Sequence, residues 1–325
     1  MPNRRSLLLG AAAAPLAGFG RPVLAQTYPA RALRLVVPYA AGGGLDVFNR
    51  PVAIKLSESL GQPVVIENRA GASGVIGAEA VAKSAPDGYT LLSAFASQTL
   101  QPFVLKNVPF DNERDFTPII GAARAPIVVV VNPALPVTSM KELIAYAKAN
   151  PGKVAYVTAG SNTAQHLTGL LLASATGAQF VHVAYKGGAP ALNDLLGGQI
   201  QMGILVLGPI MPQIQAGRLR ALAVIESTRA KAAPQLPTIE EAGFPGVAMA
   251  DTWIGYFGPR GLPSAITMQL NHQITRAINT PEIRARLETA GYEVTGGTPE
   301  QFAAMVAQTI ERYRQITAAA GIKPE

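Results

Sequence analysis

Short apolar runs alternate with stretches whose apolar positions recur at helical spacing. Leu33–Val37 predicts a strand, Val47–Leu60 a helix, Val64–Glu67 a strand, Val75–Ser84 a helix and Thr90–Ser93 a strand entered through the turn Pro86-Asp87-Gly88. APIVVVVNP at 125–133 predicts a buried strand bounded by prolines. Val154–Val157 then predicts a strand, TAGSNTAQHL at 158–167 a loop of small and hydroxyl residues, and Leu167–Ala175 a helix. Such alternation predicts an α/β fold with largely parallel sheets. A strand, a glycine-and-hydroxyl loop and a helix occur in order near residue 42 and again near residue 160. Loops of this kind lie at the carboxyl ends of strands, where open α/β sheets bind ligands. One in each of two lobes, facing the other across a cleft, predicts a two-lobed, hinged binding protein.

The N-terminus adds a destination. Arg4-Arg5 precede an apolar stretch from Leu7 to Gly18, and Val23-Leu24-Ala25 offers small residues at signal-peptidase spacing, so residues 1–25 read as a cleavable signal peptide for the periplasm. Asn3-Arg4-Arg5-Ser6-Leu7-Leu8 fits a twin-arginine signal, and paired arginines also occur in Sec signals. Loss of Arg4, Arg5 and Arg21 lowers the formal charge from +7 to +4. The remaining cations are scattered, which argues against a nucleic-acid partner. The chain has no cysteine, excluding disulfides and thiolate metal sites, and its three histidines stand at no ligand spacing. No metal and no cofactor are expected.

The stretch PYAAGGGLDVFNR at 38–50 leaves a strand through Gly42, Gly43 and Gly44. Three glycines serve either a plain turn or a ligand that needs the backbone close. Unpaired N–H groups at the following helix start would favour an anion, with Asp46 fixing the loop by accepting hydrogen bonds. Nucleotide signatures are absent: no Gly-Lys-Ser/Thr follows, and the G-x-G-x-x-G spacing is missing. In the second loop Ser161, Asn162 and Thr163 supply neutral donors before a helix starting near Ala164, and one of them is expected to cap it. Ser161 with His166 also permits a serine esterase or amidase, although no nucleophile elbow surrounds Ser161 and no third group orients the imidazole. A third loop, Tyr185-Lys186-Gly187-Gly188, precedes a helix carrying Asp194, and Lys186 reads equally as a steering charge or a solvated one. Pro51 is expected to kink the first helix or delay its start.

YPARALRLVVPYAAGGGLD, GQPVVIENRAGASGVIGAEAVAKSAPDGYTLL, DFTPI, AGSNTAQHL, YKGGAPALNDLLGGQI, AGRLRALAV and LPTIEEAGFPG resemble, in order, the tripartite tricarboxylate transporter substrate-binding proteins, also called Bug proteins. The resemblance implies a monomeric periplasmic Venus-flytrap receptor with a mostly parallel sheet in each lobe. It would close on a small organic carboxylate and serve membrane permease subunits, or dock as a sensor to a signalling protein. It implies one lobe from 26–124 and 226–325, another from 125–225, and a hinge near Val128–Val131 and Ala221–Val224. Motif by motif it carries ligand roles to Tyr39, Gly42, Gly43, Gly44 and Asp46, to Ser161, Thr163 and His166 with their neighbour Asn162, and to Tyr185, Lys186 and Asp194; SAFAS at 93–97, with Ala94 and Phe95, matches loosely. Leu45 stands where many members carry Ser or Thr, and GILVLGP at 203–209 lacks a frequent polar residue. These departures predict one carboxylate on an apolar or aromatic body, set against Leu45 and Phe95, rather than citrate; Trp253, the only tryptophan, reads as core more readily than as part of that wall.

Overall fold

The computed structural model describes residues 28–324, so the expected signal peptide lies outside the described residues. The chain opens with β1 (Leu33–Val37), α1 (Gly44–Leu60), β2 (Val64–Asn68), α2 (Val75–Ala82), β3 (Thr90–Phe95), α3 (Gln101–Val104) and β4 (Phe116–Arg124). A second lobe follows from β5 (Ile127–Val131), α4 (Met140–Ala149), β6 (Val154–Thr158), α5 (Ala164–Thr176), β7 (Phe180–Ala184), α6 (Gly188–Leu196), β8 (Met202–Val206), α7 (Leu207–Gln215) and β9 (Arg220–Val224). The chain then returns through β10 (Trp253–Pro259), α8 (Ser264–Asn279), α9 (Pro281–Thr289), β11 (Glu293–Val294) and α10 (Pro299–Ala319).

The first sheet has the order β11-β4-β10-β3-β1-β2 and the second β7-β6-β8-β5-β9. Strands β1, β2 and β3 pair in parallel, as do β6, β7 and β8, while β10 and β5 run antiparallel to both neighbours and β11 runs antiparallel to β4. The other strands of each sheet share one direction. The reversed strands follow from the path of the chain, which crosses between lobes twice. Ala125-Pro126 carries it out, and the irregular stretch after Val224 carries it back. The crossings are bonded to each other: the Ala125 N–H donates to the Thr252 carbonyl at 2.7 Å and the Ile225 N–H to the Ile127 carbonyl at 3.0 Å.

Every residue of β5 is buried, as a central strand covered on both faces requires. Helix α1 begins at Gly44, three residues before the predicted start, and continues unbroken past Pro51. The proline ring lies on the buried face, where packing offsets the missing hydrogen bond. Helix α10 starts with a capping box, Thr298 and Gln301 each bonding the other's backbone, with Pro299 in the first turn. Its Phe302 lies over the bare backbone of Gly121 and Gly255, joining α10 to β4 and β10.

Candidate functional site

Four helices begin on one cleft between the sheets, a space of about 590 Å³ including its mouth. Gly43 and Gly44 of α1, Thr163, Ala164 and Gln165 of α5, Gly188 of α6, and Val206, Pro209 and Ile210 of α7 line it. The starts of α1 and α6 receive no side-chain cap; α7 has none either, but its Leu207 N–H donates to the Pro126 carbonyl at 2.7 Å. Only α5 is capped, by Thr163 Oγ1 accepting the His166 N–H at 3.3 Å. Helix N-termini present unpaired N–H groups and the positive end of the dipole, so their convergence favours an anion without a cationic side chain.

The first loop is held from behind. Gly42, with φ +77°, donates its N–H to Asp46 Oδ2 at 2.8 Å. The same carboxylate accepts from Arg50 Nε at 2.7 Å and from Asn68 Nδ2 at 3.2 Å. Burial pushes the Asp46 carboxyl up, but the Arg50 side chain, the Gly42 N–H and the Asn68 amide together hold it below the usual carboxylate range. Tyr39 donates its hydroxyl to the Ser73 carbonyl at 3.3 Å, and its ring tilts against Phe95 at 5.9 Å.

The loops of the two lobes touch. Ser73 donates its hydroxyl to the Ser161 carbonyl, and the Ala40 N–H donates to the Lys186 carbonyl at 3.3 Å. A Cβ on Gly43 would stand 3.2 Å from the Ala40 carbonyl oxygen and 3.6 Å from the Gly188 nitrogen. In the second loop Asn162 adopts φ +57° and donates its N–H to His166 Nδ1 at 3.1 Å. His166 stacks on His182 at 4.0 Å, and His182 Nε2 lies 2.8 Å from Thr158 Oγ1. Burial, with the neighbouring His166, pushes the His182 imidazole down to about 4. In the third loop Tyr185 donates its hydroxyl to Asp194.

Of the expected site residues, Tyr39, Gly43, Gly44, Phe95 and Thr163 line the cleft. Gly42, Asp46 and Asn162 shape its loops from behind. Tyr185 and Asp194 brace the third loop, and the Lys186 side chain is exposed away from the lining. Ser161 presents its carbonyl to Ser73, and His166 lines a neighbouring groove.

The predicted wall needs correction. Leu45 is fully buried because it shares the inward stripe of α1 with Phe48 and Val52, and Ala94 lies in the core beneath the sheet. Trp253 also belongs to the core, edge-on to Phe302 with Nε1 donating to Thr309 at 3.0 Å. The apolar wall is instead Phe95, Ile127, Leu205, Val206, Pro209 and Ile210. Sequence reading passed over Ser97, Gln165 and Thr252, which also line the cleft. Gln165 stood within the second loop motif, while Thr252 sits in no motif and reaches the cleft through the return crossing.

Two α/β lobes joined by paired crossings, with helix N-termini converging between them, define a periplasmic-type solute-binding protein. The model of the tripartite tricarboxylate transporter family receptor matches residues 48–322. BugT of Bordetella pertussis is 38% identical over 309 residues, covering 94% of this chain and 94% of that protein. A solved R. palustris protein with adipate is 36% identical, covers 92% of this chain and 100% of its own, and superposes with a TM-score of 0.86. MatC from Rhodopseudomonas palustris with bound malate is 29% identical, with coverages of 89% and 99% and a TM-score of 0.83. The chain belongs to the tripartite tricarboxylate transporter receptor family, whose members are periplasmic solute-binding receptors working with membrane transporter subunits.

Proposed function

We propose that this chain is exported through a cleavable signal peptide, by the Tat or Sec route, and as a monomer captures a small organic carboxylate for membrane permease subunits. One observation carries the reading: the starts of α1 and α6, which no side chain caps, meet at a cleft whose second-lobe wall is apolar. The carboxylate sits against the amides of Gly44 and Gly188, and the body of the ligand lies on Phe95, Leu205 and Val206. Solved relatives with adipate and with malate support a carboxylate as the ligand class. The apolar wall favours a single carboxylate on a weakly polar body over citrate, whose extra charges would be buried unpaired. The chain carries no catalytic role: His166 spends Nδ1 on the Asn162 N–H and its ring face on His182, which suits a brace for the loop rather than a base for Ser161. Residues 26–124 with 226–325 form one lobe and 125–225 the other, closing about β5 and β9.

Calorimetric titration with benzoate, hexanoate and citrate tests the ligand class, and small-angle scattering with and without the bound acid tests closure. Micromolar binding of a monoacid with a smaller radius of gyration is the expected result. Citrate binding more tightly than both monoacids would overturn the preference, and an acid returned chemically altered would overturn the receptor reading.

A further inference from the structure

The polar side chains that line the cleft are mostly committed. Tyr39 donates to the Ser73 carbonyl and lies in hydrogen-bonding contact with Ser97. Thr163 Oγ1 caps α5 and donates to the Gly160 carbonyl at 2.9 Å. Gln165 Oε1 accepts the Ala159 N–H at 2.6 Å. Thr252 differs. It is 2% exposed, it lines the cleft, and its Oγ1 has no hydrogen-bond partner among the described residues.

Its position is fixed by backbone on both sides. The Thr252 carbonyl accepts the Ala125 N–H at 2.7 Å. On the other side β10 begins at the next residue, Trp253, paired with Arg124 of β4. Glu226 lies beside the Thr252 side chain, whose hydroxyl helps hold its carboxyl down, but Oε1 and Oε2 lie 3.2 and 3.4 Å from the Ile127 nitrogen and no hydrogen bond of ordinary length joins them to Thr252 Oγ1. A buried hydroxyl left unpaired is unfavourable, and here its surroundings on the open side are the cleft.

We propose that Thr252 is a specificity-determining residue, its hydroxyl exchanging a hydrogen bond with one oxygen carried on the body of the bound acid. This rests on the carboxylate reading above and narrows it to acids bearing a hydroxyl or carbonyl oxygen apart from the anchoring carboxylate. An acid with a bare hydrocarbon body would bury the Thr252 hydroxyl without a partner, the situation in which polar sites discriminate strongly.

The test uses acids matched except for one oxygen: benzoate against 4-hydroxybenzoate, butanoate against 4-hydroxybutanoate, and hexanoate against 6-hydroxyhexanoate, titrated calorimetrically into the full mature protein. The parent is expected to bind the hydroxylated member of at least one pair about tenfold more tightly, the effect of one net hydrogen bond. Thr252→Val should bring that pair to parity while the protein keeps a cooperative melting transition, because valine preserves the shape of threonine. Thr252→Ser should keep the preference and serves as the folded control. Parity in every pair for the parent, or an undiminished preference in Thr252→Val, overturns the proposal while monoacid binding leaves the carboxylate reading standing. No binding by any of the six acids tells against both.

Discussion

At the scale of single residues the site is made of backbone, and Gly43 is where a side chain would intrude. A Cβ there meets the Ala40 carbonyl of its own loop and faces the Gly188 amide of the opposite lobe. Its φ of −77° suits any residue, so the obstacle is space between the loops rather than strain. Gly43→Val is therefore expected to abolish carboxylate binding in calorimetry while the melting temperature of the ligand-free protein changes little; parent-like binding would put the anion elsewhere. The glycines and Asp46 were legible because a strand, three glycines and a helix start lie together in twelve or so residues, and the chemistry of that turn is local. Leu45 was misplaced because the side of a helix that meets the cleft is set by distant packing. Thr252 was invisible for the same reason, since it meets Ala125 and the cleft only after the chain has crossed twice.

Among elements, β1, α1, β2, α2, β3, β5, β6 and α5 were predicted to within a few residues, because their apolar period and their flanking glycines and prolines agree, while α3, β4 and α4 were not predicted. The return of the chain to the first lobe after β9 came only from the family resemblance, and the place where its strand inserts was not legible. Strand β10 lies between β3 and β4, and nothing in its own pattern tells which strands will flank it. What locks it there is a contact between elements: a Cβ on Gly255 of β10 would run into the Phe302 ring of α10. Gly255→Ala should destabilise the protein by roughly 1–3 kcal/mol, the usual penalty for overpacking a core. Chemical denaturation measures it. A combined Gly255→Ala, Phe302→Leu variant should recover part of the loss, because the shorter side chain vacates the clash.

For the whole molecule, one half-buried and one buried titratable group set opposing slopes of stability against pH. His182 in the second lobe has its imidazole pushed down to about 4 by burial and His166, from an ordinary value of 6.5. Between those values the unfolded chain binds the proton and the folded one does not, so stability rises with pH through that window. Glu226, at the crossing and wholly buried, is pushed up to about 8 by burial, against the pull of the Ile127 N–H and of Arg124 and with the opposing charge of Asp251. From its ordinary 4.5 up to that value the folded state holds the proton, so its contribution is full in acid and is lost as pH rises. Thermal melts should show a maximum in mildly acidic solution. Glu226→Gln should flatten the alkaline limb and His182→Gln the acidic one; an unchanged alkaline limb in Glu226→Gln would mean that the crossing does not govern it.

The uncapped helix starts have one more consequence, and it concerns heredity. An anchor built of peptide N–H groups is written in the path of the main chain, which most single-base changes leave intact. The wall beside it, Ile127, Leu205, Val206, Pro209 and Ile210 with Thr252, is written in side chains and changes one codon at a time. A duplicated copy of this gene can therefore drift toward a new nutrient while keeping its grip on the acid group. Such a scaffold diversifies its diet without passing through a generation that binds nothing.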